Sequence, residues 1–369
     1  MRITVLRENL KNGLNSVERS VGDTSALPIL KNVLIKTVNN RIEISATNLE
    51  LAVTHSISGK IFENGIITIP VQTFNNLINN LLAERINLEK NNHNLVIKTD
   101  NYEALIQGLN PDDFPIIPRI NNLENGLKIN AEVFGGALAK VIPAAQFSEI
   151  RPEISGVLMS YQADNLKLVT TDSFRLAEKT IPASQFKSAF SRDFKAIIPL
   201  KTAQEVLRIL KGDGELEIFV DSNQILFKTP EVEIISRLID GQYPDYDAII
   251  PQKIPTEILV NKNELVNALK LASVFTSRTN EVRLKIAENK KSLEVYSADS
   301  ALGENRYLVP IKAEGPSSTV AFNVKYLTDG LKTHDDEEVF FGINSDNKPS
   351  LIKSPKDNSF FYILMPIKS

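Results

Sequence analysis

The chain contains no cysteine and only three histidines among its 369 residues. Without cysteine it can form no disulfide, no thiolate metal site and no cysteine nucleophile, which fits a reducing compartment. His55, His93 and His334 lie far apart in the sequence, and none has a second histidine at the spacing of a zinc site. We therefore expect neither a metal nor a cofactor.

Long hydrophobic runs are also missing. No stretch approaches the roughly 20 apolar residues that a membrane-spanning helix needs. The first residues, MRITVLRENLKNGL, alternate and then become amphipathic, unlike a signal peptide. The sequence therefore predicts a cytoplasmic protein.

The common sequence motifs of enzymes are absent as well. The chain has no glycine-rich phosphate loop, no GxSxG elbow and no HExxH pair. Paired acids, Asp112 with Asp113 or Asp335 with Asp336, leave a catalytic role as an alternative. Because adjacent acids in loops are usually solvated turn residues, we expect no catalytic residue and no enzyme.

One unit of about 124 residues occurs three times along the chain. Segments 3–21, 127–148 and 256–275 each begin with a short alternating strand and continue as an amphipathic helix. Asn48, Asp172 and Asp299 then occupy equivalent turns, where short polar side chains hydrogen-bond their own backbone. A second strand and helix, followed by alternating runs typical of antiparallel strands, completes each unit.

The repeat predicts an α+β fold of three similar domains, each made of a strand, a helix and three strands, repeated twice. Proline-rich joints at 109–120 and 240–255 separate the units, since proline stops sheet pairing. We place the domains at 1–120, 121–252 and 253–369. Phe114, Tyr243 and Tyr246 offer large rings that would dock the joints.

Charge is distributed unevenly between helices and strands. The candidate helical windows 7–21, 73–85, 131–151, 201–211, 262–278 and 325–333 together carry a formal charge of +6. The whole chain carries −3, so the remaining residues carry −9. Basic helices on an acidic body suit a lining for a phosphate backbone, with Lys11 and Lys262 among the candidates. The alternative is that these lysines lie on ordinary solvated helix faces.

Three such units form either an open scaffold that binds proteins only or a curved protomer. Two curved protomers could close head to tail into a ring, because a heterologous interface that closes leaves no unsatisfied surface. The sequence pI of about 5.8 is low for a protein that grips DNA by charge alone. A ring held by topological linkage needs only weak contacts.

Five stretches, in order along the chain, resemble bacterial beta sliding clamps, the processivity subunit of DNA polymerase III. They are LPILKNVLI (27–35), TTDSFRLA (170–177), DGQYPDYDAIIP (240–251), FNVKYL (322–327) and YILMPIKS (362–369). The resemblance implies a head-to-tail homodimeric ring with helices lining the hole. It further implies binding of double-stranded DNA without sequence specificity, of the replicative polymerase, of an ATP-driven clamp loader and of other proteins with short clamp-binding peptides. The expected location is then the cytoplasm, at the nucleoid.

The resemblance also assigns residues to sites. A hydrophobic pocket for a short extended peptide would comprise Ile154, Thr171, Ser173, Phe174, Arg175, Leu176, Pro244, Ile249, Ser350, Ile363, Met365, Pro366 and Ile367. DNA would be faced by Arg151, Lys201 and Lys325 in addition to Lys11 and Lys262, and the ring interface would include Ala104, Ile106, Ser273 and Val274.

The chain departs from the family's pattern at several of these positions. Ser173 and Phe174 stand where Gly-His is common, and Asp247 and Ala248 stand where a basic residue is common. Thr24 replaces an Arg that is often seen in the first loop. We therefore expect a different peptide preference at the rim of the pocket.

Overall fold

The computed structural model describes residues 1–22, 26–120, 123–210 and 212–368, so Thr24 lies outside the described residues. These form two compact units. The first comprises Met1–Glu132, Phe186–Ser191 and Arg208–Leu238, and the second Val133–Gln185, Arg192–Leu207 and Ile239–Ser369. No helix in the described part of the chain combines the length and apolar character needed to cross a membrane.

Six α-helices are present in the described residues, and each directly follows a strand. They are α1 (Arg7–Val17), α2 (Val71–Asn80), α3 (Ala131–Val141), α4 (Leu200–Ile209), α5 (Lys262–Ser273) and α6 (Val324–Lys332). The side chains of Asn261 and Asn323 accept hydrogen bonds from the first-turn amides of α5 and α6 and so fix where these helices begin. The predicted apolar faces of α1 and α5 are buried.

The strands follow the predicted order in each third of the chain. The first third contains β1 (Arg2–Leu6), β2 (Asn32–Val38), β3 (Arg41–Thr47), β4 (Leu51–Ile57), β5 (Gly59–Glu63), β6 (Ile66–Pro70), β7 (Arg85–Asn91), β8 (Asn94–Lys98) and β9 (Glu103–Ile106). The second contains β10 (Gly126–Asn130), β11 (Gly156–Gln162), β12 (Asn165–Thr171), β13 (Arg175–Pro182), β14 (Phe186–Ser188), β15 (Phe194–Pro199), β16 (Glu215–Val220), β17 (Gln224–Lys228) and β18 (Val232–Arg237). The last contains β19 (Thr256–Asn261), β20 (Glu281–Ile286), β21 (Ser292–Asp299), β22 (Gly303–Glu314), β23 (Thr319–Asn323), β24 (Glu338–Ile343), β25 (Ser350–Lys353) and β26 (Phe360–Leu364). The α+β prediction is confirmed, with β5 and β14 as short additions to the repeat.

The strands pair antiparallel, and two of the sheets run from one third of the chain into the next. The first unit holds sheets of order β5-β1-β7-β8-β9 and β14-β10-β16-β17-β18-β4-β3-β2-β6. The second holds one sheet of order β15-β11-β12-β13-β26-β25-β24-β19-β22-β21-β20-β23. We call the pairing of β4 with β18 the first seam and that of β13 with β26 the second seam. Because each seam joins the middle third to a neighbour, residues of the middle third belong to both units.

The predicted polar turns hold their own backbone in all three repeats. Asn48 accepts from the amides of Glu50 and Leu51, and the other two turns repeat this pattern. Asp172 accepts from Phe174 and Arg175, and Asp299 from Ala301 and Leu302. The strands β4 and β13 start three residues after the polar residue of their turn, and β22 starts four residues after it.

The proline-rich joints dock as predicted. Phe114 is 8% exposed, and Ile117 packs against a buried cluster at the first seam that includes Ile120. Tyr243 and Tyr246 pack against the equivalent cluster at the second seam. The joints are therefore ordered parts of the two seams.

Candidate functional site

An apolar face of the sheet lies at the second seam. Leu176 of β13 and Ile363 of β26 are partners across the seam, and each is 1% exposed. Their buried cluster also contains Leu158, Val169, Ile197 and Leu351. The joint covers this cluster through side chains that include Ile239, Tyr243, Tyr246, Ile250 and Ile254. We call this region, where joint and strands pack together, the candidate pocket.

The hydroxyl of Tyr243 anchors the joint, because it donates to the carbonyl of Val169 at 3.5 Å. Burial raises the pKa of both tyrosines, and the Glu178 carboxylate adds to the rise at Tyr246. Both rings therefore remain neutral donors at physiological pH.

A rigid turn between β12 and β13 forms the rim of this site. Its Ser173 has φ +77°, the left-handed conformation that side chains other than glycine seldom adopt. Two hydrogen bonds to the Asp172 side chain close the turn, and the amide of Met365 donates to the carbonyl of Phe174 at 2.7 Å. The ring of Phe174 is held 61% exposed.

Arg175 points to the other side of the sheet from Leu176, toward α6. Its guanidinium lies 2.8 Å from the Asp172 carboxylate, 2.7 Å from that of Asp329, and 4.2 Å above the ring of Tyr326. Burial opposes the positive charge, but the Tyr362 hydroxyl and both carboxylates hold the pKa of Arg175 above its ordinary value. The side chain thus ties the turn to α6.

The predicted pocket residues gather at the second seam. Thr171 and Ser173 to Leu176 lie on the turn and the adjoining strand ends, Ser350 and Ile363 on β25 and β26, Met365 to Ile367 just after β26, and Pro244 and Ile249 on the joint. Ile154 is buried in the 3-10 helix Pro152–Ile154. Ser173, Phe174 and Ile249 are exposed, Pro244, Met365 and Ile367 are half-buried, and the others are buried. A peptide would therefore meet the exposed and half-buried members first.

Sequence reasoning missed two residues of this region, Tyr326 and Asp329, which contact the Arg175 guanidinium. The FNVKYL segment contains Tyr326, but only the fold brings α6 against β13. No local spacing relates these positions, so nothing in the sequence pattern pointed to the contact.

The predicted DNA-facing residues differ in their surroundings. Lys201 and Lys325 are exposed near the starts of α4 and α6, and Lys11 is half-buried on α1. Lys262 donates to the carbonyl of His334 at 2.8 Å. Arg151 hydrogen-bonds Glu153 at 3.1 Å and Ser173 at 3.0 Å, which places it at the rim of the candidate pocket.

The residues predicted for the ring interface lie on β9 and at the end of α5. Ala104 is half-buried and Ile106 is 6% exposed, whereas Leu105 between them is 53% exposed. Ser273 ends α5, and Val274 is 62% exposed. Leu105 was not among the predicted residues, although it is more exposed than its neighbours Ala104 and Ile106.

The paired acids that left a catalytic role open lie in exposed or half-buried positions. A hydrogen bond from Lys140, 2.7 Å away, lowers the pKa of Asp335, so this carboxyl is not kept protonated to act as an acid. Asp112 and Asp113 are exposed in a 3-10 helix. Within the described ranges, no group of three or more His, Asp or Glu side chains is placed to bind a metal.

Three family models match the chain in order. Residues 1–118 match the N-terminal domain of the DNA polymerase III beta subunit, residues 128–245 its central domain, and residues 247–368 its C-terminal domain. The chain belongs to the DNA polymerase III beta subunit family. The family consists of non-enzymatic processivity factors, which supports the prediction that the protein is not an enzyme.

Curated and solved relatives agree with this membership over the full length. The beta sliding clamps of Staphylococcus epidermidis RP62A and Bacillus subtilis are 27% and 26% identical, over 100% of both chains. The crystal structure of the Bacillus subtilis DNA polymerase sliding clamp is 25% identical with a TM-score of 0.93, covering 100% of this chain and 99% of that one. A Pseudomonas aeruginosa sliding clamp bound to griselimycin is 23% identical with a TM-score of 0.94, over 100% of both chains, and shows the same fold.

Proposed function

We propose that the protein is a DNA sliding clamp that encircles duplex DNA and tethers the replicative polymerase and other DNA-processing proteins. The observation that carries this proposal is the threefold repeat of one domain, matched in order by the three domain models of the family. The proposed domains are 1–120, 121–252 and 253–369. The site of action is the nucleoid in the cytoplasm.

The two seams within the chain support the proposed ring closure. In each seam, the last strand of one domain pairs with the strand that follows the polar turn of the domain before it. The third such turn is followed by β22, whose first residues pair only with β21 among the described strands. The last strand of the first domain, β9, likewise pairs only with β8 there. We therefore place β9 of one copy against the start of β22 in a second copy.

Leu105 supports this third seam. In its pairing with β8, it occupies the position that Ile235 occupies in β18 against β17. Ile235 is 7% exposed because the first seam covers it, whereas Leu105 is 53% exposed. A partner strand would bury Leu105 in the same way. Two copies joined head to tail by two such contacts make a closed homodimeric ring.

The helices supply the proposed lining for DNA. The six helical windows carry a net positive charge on an acidic chain, and Lys201 and Lys325 present exposed ammonium groups. Such contacts reach the phosphates of any sequence and weaken as salt screens them. Topological linkage then holds the ring on DNA while the weak contacts permit sliding.

The second seam is the proposed docking site for partners. Its apolar floor and exposed rim suit a short extended peptide with apolar anchors, carried by the polymerase, the clamp loader or other proteins. The buried residues shape the floor, and Ile249, Met365 and Phe174 make first contact. No metal or cofactor takes part in this function.

Primer extension tests the proposal. A replicative polymerase of the family's type, with its clamp loader and ATP, is allowed one binding event on a long primed template. We expect the protein to lengthen the product of that single event by at least tenfold. Equal product lengths with and without the protein would contradict the proposed function.

A further inference from the structure

The last strands of the three domains have equivalent registers. Leu105 of β9, Ile235 of β18 and Ile363 of β26 hold the same position in them. Followed through three successive strand pairings, each of these residues leads to the first strand of its domain, five residues before the first residue of the helix. In the proposed third seam, Leu105 therefore takes the place that the two isoleucines take at the seams within the chain.

The strands that follow the polar turns supply the other side of each seam. Ile235 pairs with Ala52 across the first seam. Ile363 pairs with Leu176 across the second seam. Each of these partners also pairs, on its other side, with the residue just before the polar residue of the turn. Glu304 holds this position in the third repeat, which sets the register of β22 against β9 of a second copy.

This register places Glu103 of β9 directly opposite Arg306 of β22 in the second copy. Both residues lie two positions from the pair formed by Leu105 and Glu304, so their side chains face the same side of the sheet. Within one copy, the Glu103 and Arg306 side chains are 64% and 66% exposed. Directly opposed residues of antiparallel strands have Cβ atoms about 5 Å apart, which brings the carboxylate within reach of the guanidinium.

Opposite charges would then alternate along one row of side chains across four strands. In one copy, Glu103 pairs with Lys98 of β8, and the carboxylate lies 3.1 Å from the ammonium group. In the other copy, Arg306 pairs with Tyr296 of β21, and the guanidinium lies 6.0 Å from the centre of the ring. The row is thus ammonium, carboxylate, guanidinium and aromatic ring, in which each group attracts the next.

The first seam has no such arginine at the equivalent position. Lys228 and Glu233 form the same kind of pair there, with their charged groups 2.9 Å apart. They occupy the positions that Lys98 and Glu103 occupy at the third seam. Glu233, however, faces Thr54 across the first seam. A seam within one chain has its partner strand supplied by the same molecule, whereas a seam between copies benefits from charges that select the partner.

We propose that Glu103 of one copy and Arg306 of a second copy form an ion pair in the third seam, and that this pair selects a second copy of this chain in the correct register. The inference rests on the proposed ring and names the contact that fixes its register. Since a ring of two copies has two such seams, the pair forms twice. A slip by two residues would instead set Glu103 opposite Glu304, and like charges opposite each other destabilise a sheet.

Charge reversal in the full chain tests the pair. Glu103→Arg sets arginine against arginine in both seams, and Arg306→Glu sets glutamate against glutamate. We expect each variant alone to form dimers with a Kd about a hundredfold higher than that of the parent, because each seam loses about tenfold. Mixed in equal amounts, the two variants should recover most of the parent's affinity, since both seams of a mixed ring join opposite charges.

Sedimentation velocity at about 0.1 M salt, where charges more than about 10 Å apart are largely screened, measures the Kd values. Native mass spectrometry with one variant labelled with nitrogen-15 counts the mixed rings. Glu233→Arg and Arg283→Glu are the matched controls. Glu233 holds the equivalent position at the first seam, and Arg283 is an exposed arginine on β20. Both controls should dimerise like the parent.

Two further results distinguish the ion pair from the ring. If the single variants dimerise like the parent, or if their mixture binds no more tightly than either alone, the ion pair is overturned and the ring stands. A parent protein that stays monomeric at every concentration would contradict the ring itself, and the ion pair with it.

Discussion

Nη1 of Arg175 lies 2.7 Å from Oδ2 of Asp329, and this contact joins the turn at the second seam to helix α6. Oδ2 of Asp172, with its side chain 3% exposed, lies 2.8 Å from Nε of the same guanidinium. The buried guanidinium of Arg175 therefore holds both the turn at the rim of the candidate pocket and helix α6, which is proposed to face DNA. Removing that cation would leave a buried carboxylate without a counter-charge.

Arg175→Ala should consequently destabilise the protein strongly. Loss of one partner from a buried ion pair costs about 3–5 kcal/mol. Asp329→Asn is the matched control, because Asp329 is 42% exposed and the change should cost about 1 kcal/mol or less. Urea denaturation measures the free energy of unfolding of both variants. Equal losses of stability would show that the Arg175 guanidinium stabilises the protein no more than an exposed ion pair does.

His334 should make the protein less stable in mild acid. Burial lowers the pKa of this 3% exposed side chain from 6.5 to about 4, with the positive charge of Lys140 as the next cause. The unfolded chain takes up the proton first, so the free energy of unfolding falls as the pH decreases from about 6.5 to 4. The loss attributable to His334 is about 3 kcal/mol.

His334→Leu should flatten this part of the stability profile. Within the described residues, Nε2 of His334 has no hydrogen-bond partner, so the apolar replacement removes no bond at that atom. A smaller slope of the same sign should persist, because burial also lowers the pKa of His55. Denaturant titrations between pH 7 and 4.5 measure the slopes, with exposed His93→Gln as the control. An unchanged slope in His334→Leu would contradict the assignment.

Two helical glycines should respond oppositely to alanine. A Cβ at Gly330 of α6 would lie 2.5 Å from the ring of Tyr362, and one at Gly136 of α3 would meet no atom within 4 Å. Gly330→Ala should therefore cost about 1–3 kcal/mol through overpacking. Gly136→Ala should stabilise by about 0.5–1 kcal/mol, because alanine favours the helix. Thermal unfolding compares the stability of the two variants. If both were more stable than the parent, α6 would lie further from β26 than it does in the structure.

Leu105→Asp should abolish the dimer. A charge at this position of β9 would be buried without a partner in the proposed third seam, at a cost large enough to favour monomers. Leu49→Asp is the control, since Leu49 is 47% exposed in a turn at the first seam. Light scattering after size exclusion should report a monomer for Leu105→Asp and a dimer for the control and the parent. A dimeric Leu105→Asp variant would refute the β9–β22 contact.

Most of the architecture could be predicted from the sequence, because each element of the repeat is marked by a pattern among neighbouring residues. Alternation and helical spacing predicted the element order, and polar residues such as Asn48 and Asp172 predicted the turns that the structure contains. The strands β5 and β14 were missed, since GKIFE and FKS show no clear alternation of apolar and polar residues. The pairing across the seams was also beyond local patterns, because register between distant strands leaves no periodic signal.

The fold brings the predicted pocket residues together at the second seam, but the sequence did not predict the direction of each side chain. The resemblance placed Arg175 and Leu176 together in the pocket, yet neighbouring residues of a strand face opposite sides of the sheet. Leu176 therefore faces the joint while Arg175 faces α6. The same alternation explains why Leu105, rather than its neighbours Ala104 and Ile106, is the exposed apolar residue of β9.

Retention on DNA tests the central claim, topological linkage, most directly. The protein is loaded onto a nicked circular plasmid with a clamp loader and ATP. The sample is then divided, and the plasmid in one portion is linearised by a single restriction cut. Both portions are kept at a salt concentration that screens phosphate contacts. The account predicts that the protein stays on the intact circle and is lost from the linear DNA within the same interval. Equal dissociation from circular and linear DNA would contradict the ring and favour an open scaffold.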